Sequence, residues 1–426
     1  MNNGLTDVIL YGINGVTDIL YKELDGQHII ATTDGNGSYQ EQPVLSLQQL
    51  SEHKNRNVVI CSVFVDDIVS SLLSIGFHIE QIFFFHMPKN TIESACDFII
   101  PPCQKDDILY AIYDLGSSIA TFDATNFVVL AEAKRIELGK KHLHFVVLPK
   151  RNFSQNIRLH SMHTQDEVNW RVNHILNPLF QCIKSTTGIS YLNAREELDG
   201  LLGKSATVFP EGFSLNNTIT QMGYQEIIEQ TRKGTCIAHL EAPDTAKRLV
   251  DNYIKHHCGD KQIITITMRE YNSHEQRNSS SDGWSQFLAE LDTDKYYPII
   301  IRDTYQSTTP IAEELQHIEQ FPLASMDLTV RVALYQRAYL NFSIPTGPAY
   351  LFYFIKPCPS IVFRTFNEDH FATSKMTVEK GGFFIGEQPE FRNSLNQRVF
   401  WGEENYQNIA SSFEEFENEF SDTSAD

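Results

Sequence analysis

Long apolar runs, basic charge and paired cysteines are what this sequence has little of. None of its apolar stretches approaches the roughly 18 uninterrupted residues of a membrane span, so no spanning helix is expected. The opening residues Met-Asn-Asn-Gly are polar and lack the basic-then-apolar order of a secretory leader. Basic side chains number 34 against 54 acidic ones, a formal net charge of −20. So acidic a chain is a poor general nucleic-acid binder, because displacing counterions from phosphates needs basic patches; one local basic cleft stays compatible with it. The cysteines (Cys61, Cys96, Cys103, Cys182, Cys236, Cys258 and Cys358) are odd in number, widely spaced and form no CxxC pair. That argues against a disulfide framework or a cysteine zinc site, and for a reduced, cytoplasmic compartment. The histidines show no HExxH spacing, and Gly139 to His142 (GKKH) is not a phosphate-binding loop, because no glycine precedes it at the required spacing. No DxD-type motif stands in a convincing metal-binding context, so no metal and no tightly bound cofactor is expected.

What is present is a chain of 426 residues, more than one core usually holds, and 42% hydrophobic, enough to fill several. Short apolar strands alternate with helices of about ten residues, the rhythm of parallel βαβ units. Asp7–Tyr11, His28–Thr33, Asn57–Val65 and Ile79–Phe85 read as strands separated by helical segments. They make a Rossmann-like module, assigned residues 1–114, with a break at Pro101-Pro102. A second segment, residues 115–243, carries helices over Phe122–Gly139 and Glu167–Ile183 and a strand over His142–Pro149. A third, residues 244–426, carries strands over Gln262–Met268, Tyr297–Arg302, Tyr339–Ile344 and Ser360–Arg364. The acidic tail from Phe413 to Asp426 is expected to fray.

Two stretches of the third segment carry the chemistry. IITITMR (Ile263 to Arg269) is a buried strand that delivers Arg269 and Glu270 at its carboxyl end. NFSIPTGP (Asn341 to Pro348) is a strand ending in a Thr346-Gly347-Pro348 turn before an apolar helix. Ligands of open α/β sheets sit outside the carboxyl ends of strands. An arginine there can grip a diphosphate bidentately, and a glycine turn admits close approach of the backbone. Arg269 is therefore a candidate for stabilising a leaving diphosphate, with Glu270 or His274 as acid or base. Arg277, Asn278, Asp303, Thr346 and Gly347 are candidates for holding the donor. The alternatives are a surface loop whose charges pair with one another, an Asp303 turn cap and a plain strand-to-helix joint. In the N-terminal module, Gly12 and Gly15 form a βα turn and Asp34 ends the second strand, as in a nucleotide pocket. Two glycines without the full GxGxxG are equally an ordinary turn.

At these residues the chain resembles a group of bacterial glycosyltransferase-like proteins found among surface-polysaccharide and lipopolysaccharide genes. The segments that carry the resemblance include NWRVNHILNPL, IITITMREYNSHEQRNSSSDGWSQFLAEL and VALYQRAYLNFSIPTGPAYLF, within Leu115 to Phe416. The resemblance implies the GT-B fold: two Rossmann-like lobes facing across a cleft, an acceptor lobe followed by a lobe holding a nucleotide-sugar. It also implies metal-independent sugar transfer to a glycan or lipid-linked glycan acceptor. The strand-borne arginine is similar to that of fucosyltransferase-type GT-B enzymes. Those usually place a histidine two residues earlier, where this chain has Thr267. The first module resembles the small Rossmann-like domain appended to many sugar-modifying enzymes, in ILYGINGVTDILYKEL and VVICSVFVDDIVSSLLSIG. The rival expectations are a non-catalytic scaffold that binds nucleotide-sugar or glycan, and redox or epimerase chemistry in the first module. The second needs a YxxxK pair that the module lacks. Donor, acceptor and oligomeric state do not follow from the sequence.

Overall fold

A computed structural model describes residues 4–98, 107–150, 164–202, 206–219, 222–270, 277–366, 368 and 373–423. The chain divides into two compact units, Met1–Pro102 and Cys103–Asp426.

The first unit holds one six-stranded sheet, ordered Leu45–Ser46, Ile29–Thr32, Ile9–Tyr11, Val58–Ile60, Ile82–His86 and Thr91–Ser94. Its strands run parallel except for the last, which returns antiparallel on Ile82–His86. Val8, Leu10 and Val59 pack on one face and Ile9, Tyr11, Val58 and Ile60 on the other. Successive residues alternate faces, so a parallel sheet covered on both sides needs uninterrupted apolar strands.

The second unit holds two sheets. The smaller is ordered Thr186–Tyr191, His142–Leu148, Ile108–Asp114 and Thr207–Phe209, all parallel. The sequence reading left Ile108–Asp114 in the N-terminal module, yet this strand is the hub of the second sheet. It pairs with both His142–Leu148 and Thr207–Phe209. Strand identity is local, but the choice of neighbours is not. The larger sheet is ordered Glu319–Gln320, Tyr296–Ile301, Gln262–Thr267, Leu340–Ser343, Ser360–Arg364 and Gln397–Trp401, again all parallel. In each of these three sheets the first strand lies inside, the chain winds outward on one side and then crosses to the other. That reversal opens a crevice at the carboxyl ends.

The two lobes of the second unit share a core. Helix Ala124–Glu137 is buried without interruption from Ala124 to Ala133, as befits a helix enclosed on all sides. Tyr350 Oη donates to Asn126 Oδ1 at 2.6 Å, joining the C-terminal lobe to that helix. This is the pair of facing α/β lobes that the resemblance implied. The acidic tail does not fray where expected. Tyr406–Thr423 is a helix whose Ile409 and Phe416 are fully buried in the C-terminal core. Its Glu417 accepts hydrogen bonds from Lys295, Tyr296 and Tyr339. Apolar residues at helical spacing outweigh the acidic composition around them. Among the described residues, no helix is long and apolar enough to cross a membrane.

Candidate active site

The strand order of the larger sheet reverses between Gln262–Thr267 and Leu340–Ser343, which pair directly and in parallel. Arg269 lies two residues beyond the first strand, and Thr346 three beyond the second. A cavity of about 560 Å³ opens there, lined on one side by Arg269, Arg277, Asp303, Thr346, Gly347 and Arg364. The opposite wall belongs to the other lobe and includes Phe122, Asp123, Trp170, Arg171, His174 and Tyr224.

Arg269 is 9% exposed. Its backbone N–H donates to Ser279 Oγ at 3.1 Å, and one of its Nη atoms donates to Asn278 Oδ1. Asn278 thus orients an arginine from behind the cavity wall. Arg277 lies beside Arg269 and Arg364. Burial, followed by those two like charges, lowers its pKa below the ordinary value. Its Nη2 donates to the Pro345 carbonyl at 3.4 Å. The positive charge of the cleft is therefore concentrated where burial makes it strongest.

Glu270 leaves the cavity. Its carboxylate forms a bidentate pair with Arg302, both contacts 2.7 Å, and Arg302 is 4% exposed. Its backbone N–H donates to Asp303 Oδ2 at 2.8 Å. Together these fix Glu270 itself against Arg302 and Asp303. His274 lies outside the described residues. Thr346 caps the next helix, its Oγ1 accepting the Ala349 N–H at 3.2 Å. Gly347 has a steric reason to be small: a Cβ there would sit 2.4 Å from the Phe122 ring. Thr267, where the fucosyltransferase type has histidine, is buried and paired with Tyr335 Oη at 2.8 Å.

Several cleft residues were not singled out from sequence. Arg364 ends an apolar strand, the same signal that pointed to Arg269, two strands across the sheet. Trp170 and His174 stack with ring centroids 4.8 Å apart beside a π-helical turn, Val172–Leu176. Such turns have no sequence signature but recur at functional sites. Glu404 supports the Arg269 loop from below. It accepts the Ser280 N–H at 2.7 Å and Trp284 Nε1 at 2.8 Å. Burial pushes its carboxyl up to about 7. Among the described residues, no cluster of histidine, cysteine and carboxylate side chains could hold a metal ion.

In the first unit, Gly12 and Asp34 lie on the same carboxyl edge of their sheet. Gly12 has φ +110°, a value that favours glycine. Gly15 opens helix Gly15–Glu23, but its first-turn amides are taken: Asn14 Oδ1 accepts from Val16 at 2.9 Å and Thr17 at 3.4 Å. Thr17 Oγ1 returns a hydrogen bond to the Gly12 carbonyl at 2.7 Å. Asp34 is exposed. Hydrogen bonds from Thr32 (3.0 Å) and Asn36 (2.7 Å) hold its carboxyl below the usual carboxylate value.

No protein-family model matches the chain, and no curated protein does. Solved structures are similar in outline. The glycosyltransferase family 9 protein of Veillonella parvula DSM 2008 is 10% identical, with a TM-score of 0.43 over 72% of this chain and 89% of that one. ADP-heptose lipopolysaccharide heptosyltransferase II of E. coli is 8% identical, with a TM-score of 0.30 over 96% and 98%. The wall teichoic acid polymerase TagF is 9% identical, with a TM-score of 0.28 over 75% and 85%. At such values no activity transfers from them to this chain.

Proposed function

We propose that the cleft of the second unit binds a nucleotide-sugar and transfers its sugar to a hydroxyl of a glycan acceptor. The observation that carries this reading is the group of arginines, the buried Arg269 with the half-buried Arg277 and Arg364, around a cavity at the switch point of a parallel sheet. Arg269 and Arg277 neutralise the diphosphate as it departs, a role that needs preorganised positive charge where negative charge develops. Asn278 positions the Arg269 guanidinium, and the Glu270–Arg302 pair fixes the chain just after it.

The acceptor approaches from the wall of the other lobe. Two described carboxylates line the cavity. Asp303 is held by the Glu270 N–H, whereas Asp123, exposed on the opposite wall, accepts among the described residues only the Thr121 hydroxyl, at 3.2 Å. We assign Asp123 as the base. The acceptor oxygen attacks the anomeric carbon, the bond from that carbon to the diphosphate oxygen breaks, and the acceptor proton passes to Asp123. The resemblance seen in sequence favours a cell-surface glycan precursor, free or lipid-linked, as acceptor.

Calorimetry tests the donor site. Arg269→Ala is expected to weaken nucleoside-diphosphate binding by about 1.5–3 kcal/mol, the range for charge-assisted hydrogen bonds. Arg269→Lys recovers part of the loss, because the bidentate fork is missing. Equal diphosphate affinity in wild type and Arg269→Ala would remove the donor-site assignment.

A further inference from the structure

Arg364 is more than a diphosphate grip requires. Its guanidinium stands 3.8 Å from the centroid of the buried Phe383 ring. Its Nε is buried and has no hydrogen-bond partner among the described residues. The same holds for the hydroxyl of Tyr353, a residue 2% exposed. Both residues line the cleft cavity. Stacking on an aromatic ring offsets part of the cost of burying a guanidinium. It gives the N–H groups no acceptor, and a buried donor left unpaired is costly.

The groups that act on Arg364 are the phenols of Tyr353, Tyr224 and Tyr350, and burial lowers its pKa below the ordinary arginine value. Tyr350 is already committed to Asn126. Charge balance points the same way. Among the described residues, five arginines but only two aspartates line the cavity. A diphosphate diester brings one charge per phosphorus and leaves that lining positive. Two buried donors without acceptors, in a cavity with surplus positive charge, call for a further anion.

Resting on the nucleotide-sugar reading of the cleft, we propose that Arg364 and Tyr353 form a second anion subsite, which takes an acidic group carried by the sugar itself. A carboxylate and a phosphate monoester both supply the two or more acceptor oxygens that a guanidinium and a phenol can share. The cleft therefore selects acidic over neutral sugars.

Three probes share an anomeric phosphate and differ only at C6: glucose 1-phosphate, glucuronate 1-phosphate and glucose 1,6-bisphosphate. Their binding to the full chain is measured by calorimetry or ligand-detected NMR. At least one acidic probe is expected to bind about tenfold more tightly than glucose 1-phosphate, the size of one charge-assisted contact. Whichever acidic probe gains identifies carboxylate or phosphate. Tyr353→Phe and Arg364→Gln should each pull that ratio towards one, and Arg364→Lys should keep part of it. Arg269→Ala should weaken all three probes and leave the ratio. If Arg364→Gln does not fold, the conservative Tyr353→Phe decides. A wild-type ratio near one, a ratio that Tyr353→Phe leaves unmoved, or no binding of any probe at millimolar concentration overturns the proposal. A preserved ratio without nucleoside-diphosphate binding removes the nucleotide reading and leaves the acidic subsite. Nucleoside-diphosphate binding with a ratio of one does the reverse.

Discussion

The sheet of the first unit and the larger sheet of the second share one strand order, and their switch points differ in what fills them. In the first, Asn14 takes the helix amides, and its Nδ2 donates to the Cys61 carbonyl on the neighbouring strand at 2.5 Å. The Asn14 side chain thus ties the helix start to the neighbouring strand end. In the second, the corresponding strand ends deliver Arg269, Arg364 and the Thr346–Gly347 turn to a cavity. The smaller sheet of the second unit gives a third outcome. Asp114 at its switch point is neutralised by Arg195 in a bidentate pair at 2.6 and 2.7 Å. Topology makes the crevice; the first few side chains beyond each strand decide whether it can hold an anion.

The strongest way to test that contrast is at the base. Asp123→Asn is expected to lower sugar transfer by about 10²–10⁴-fold, the range for a lost general base, while nucleoside-diphosphate binding persists. Assays of both quantities separate the roles; an unchanged rate would return Asp123 to a passive place in the wall. Next comes the packing that shapes the cleft. Gly347→Val forces a side chain into the Phe122 ring and should cost about 1–3 kcal/mol of stability by denaturant titration. Replacing Phe122 by alanine in the same chain should restore part of it.

Glu404 offers a pH test of the same loop. Its carboxyl titrates at about 7 in the fold against an ordinary 4.5. The folded chain therefore holds a proton that the unfolded chain has released. Stability from this group falls as pH rises from about 4.5 to about 7 and is level above that. The expected loss is on the order of 1–3 kcal/mol. Glu404→Gln should flatten that part of the stability profile, as read from thermal melts across pH. A slope that survives the substitution would place its origin elsewhere. The smallest effect belongs to the Asn14 cap of the first unit. Asn14→Ala removes a cap worth about 0.5–2 kcal/mol and should leave nucleoside-diphosphate affinity unaltered. A change in that affinity would bring the first unit into the binding function.

The apolar strands, their alternation with helices and the position of Arg269 at a strand end were legible in the sequence, because each rests on local pattern. IITITM alternates between two cores, and a polar loop must begin where the apolar run stops. Arg364 carried the same signal at the end of SIVFR, yet its surroundings come from Tyr353, Tyr224 and Phe383, none of them adjacent in sequence. The partner of Glu270 was equally hidden. Local order suggested an acid or base beside Arg269, whereas Arg302, 32 residues away, captures it. Gly347 was recognisable as a close-approach glycine, but only the meeting of the two lobes put Phe122 against it. The place of Ile108–Asp114 and the docking of Tyr406–Thr423 were settled in the same way. The sequence by itself determined where strands end and which polar groups they deliver, since hydrophobic period acts over neighbouring residues. Tertiary structure alone decided which of those groups were paired, because burial and hydrogen-bond partners come from distant parts of the chain.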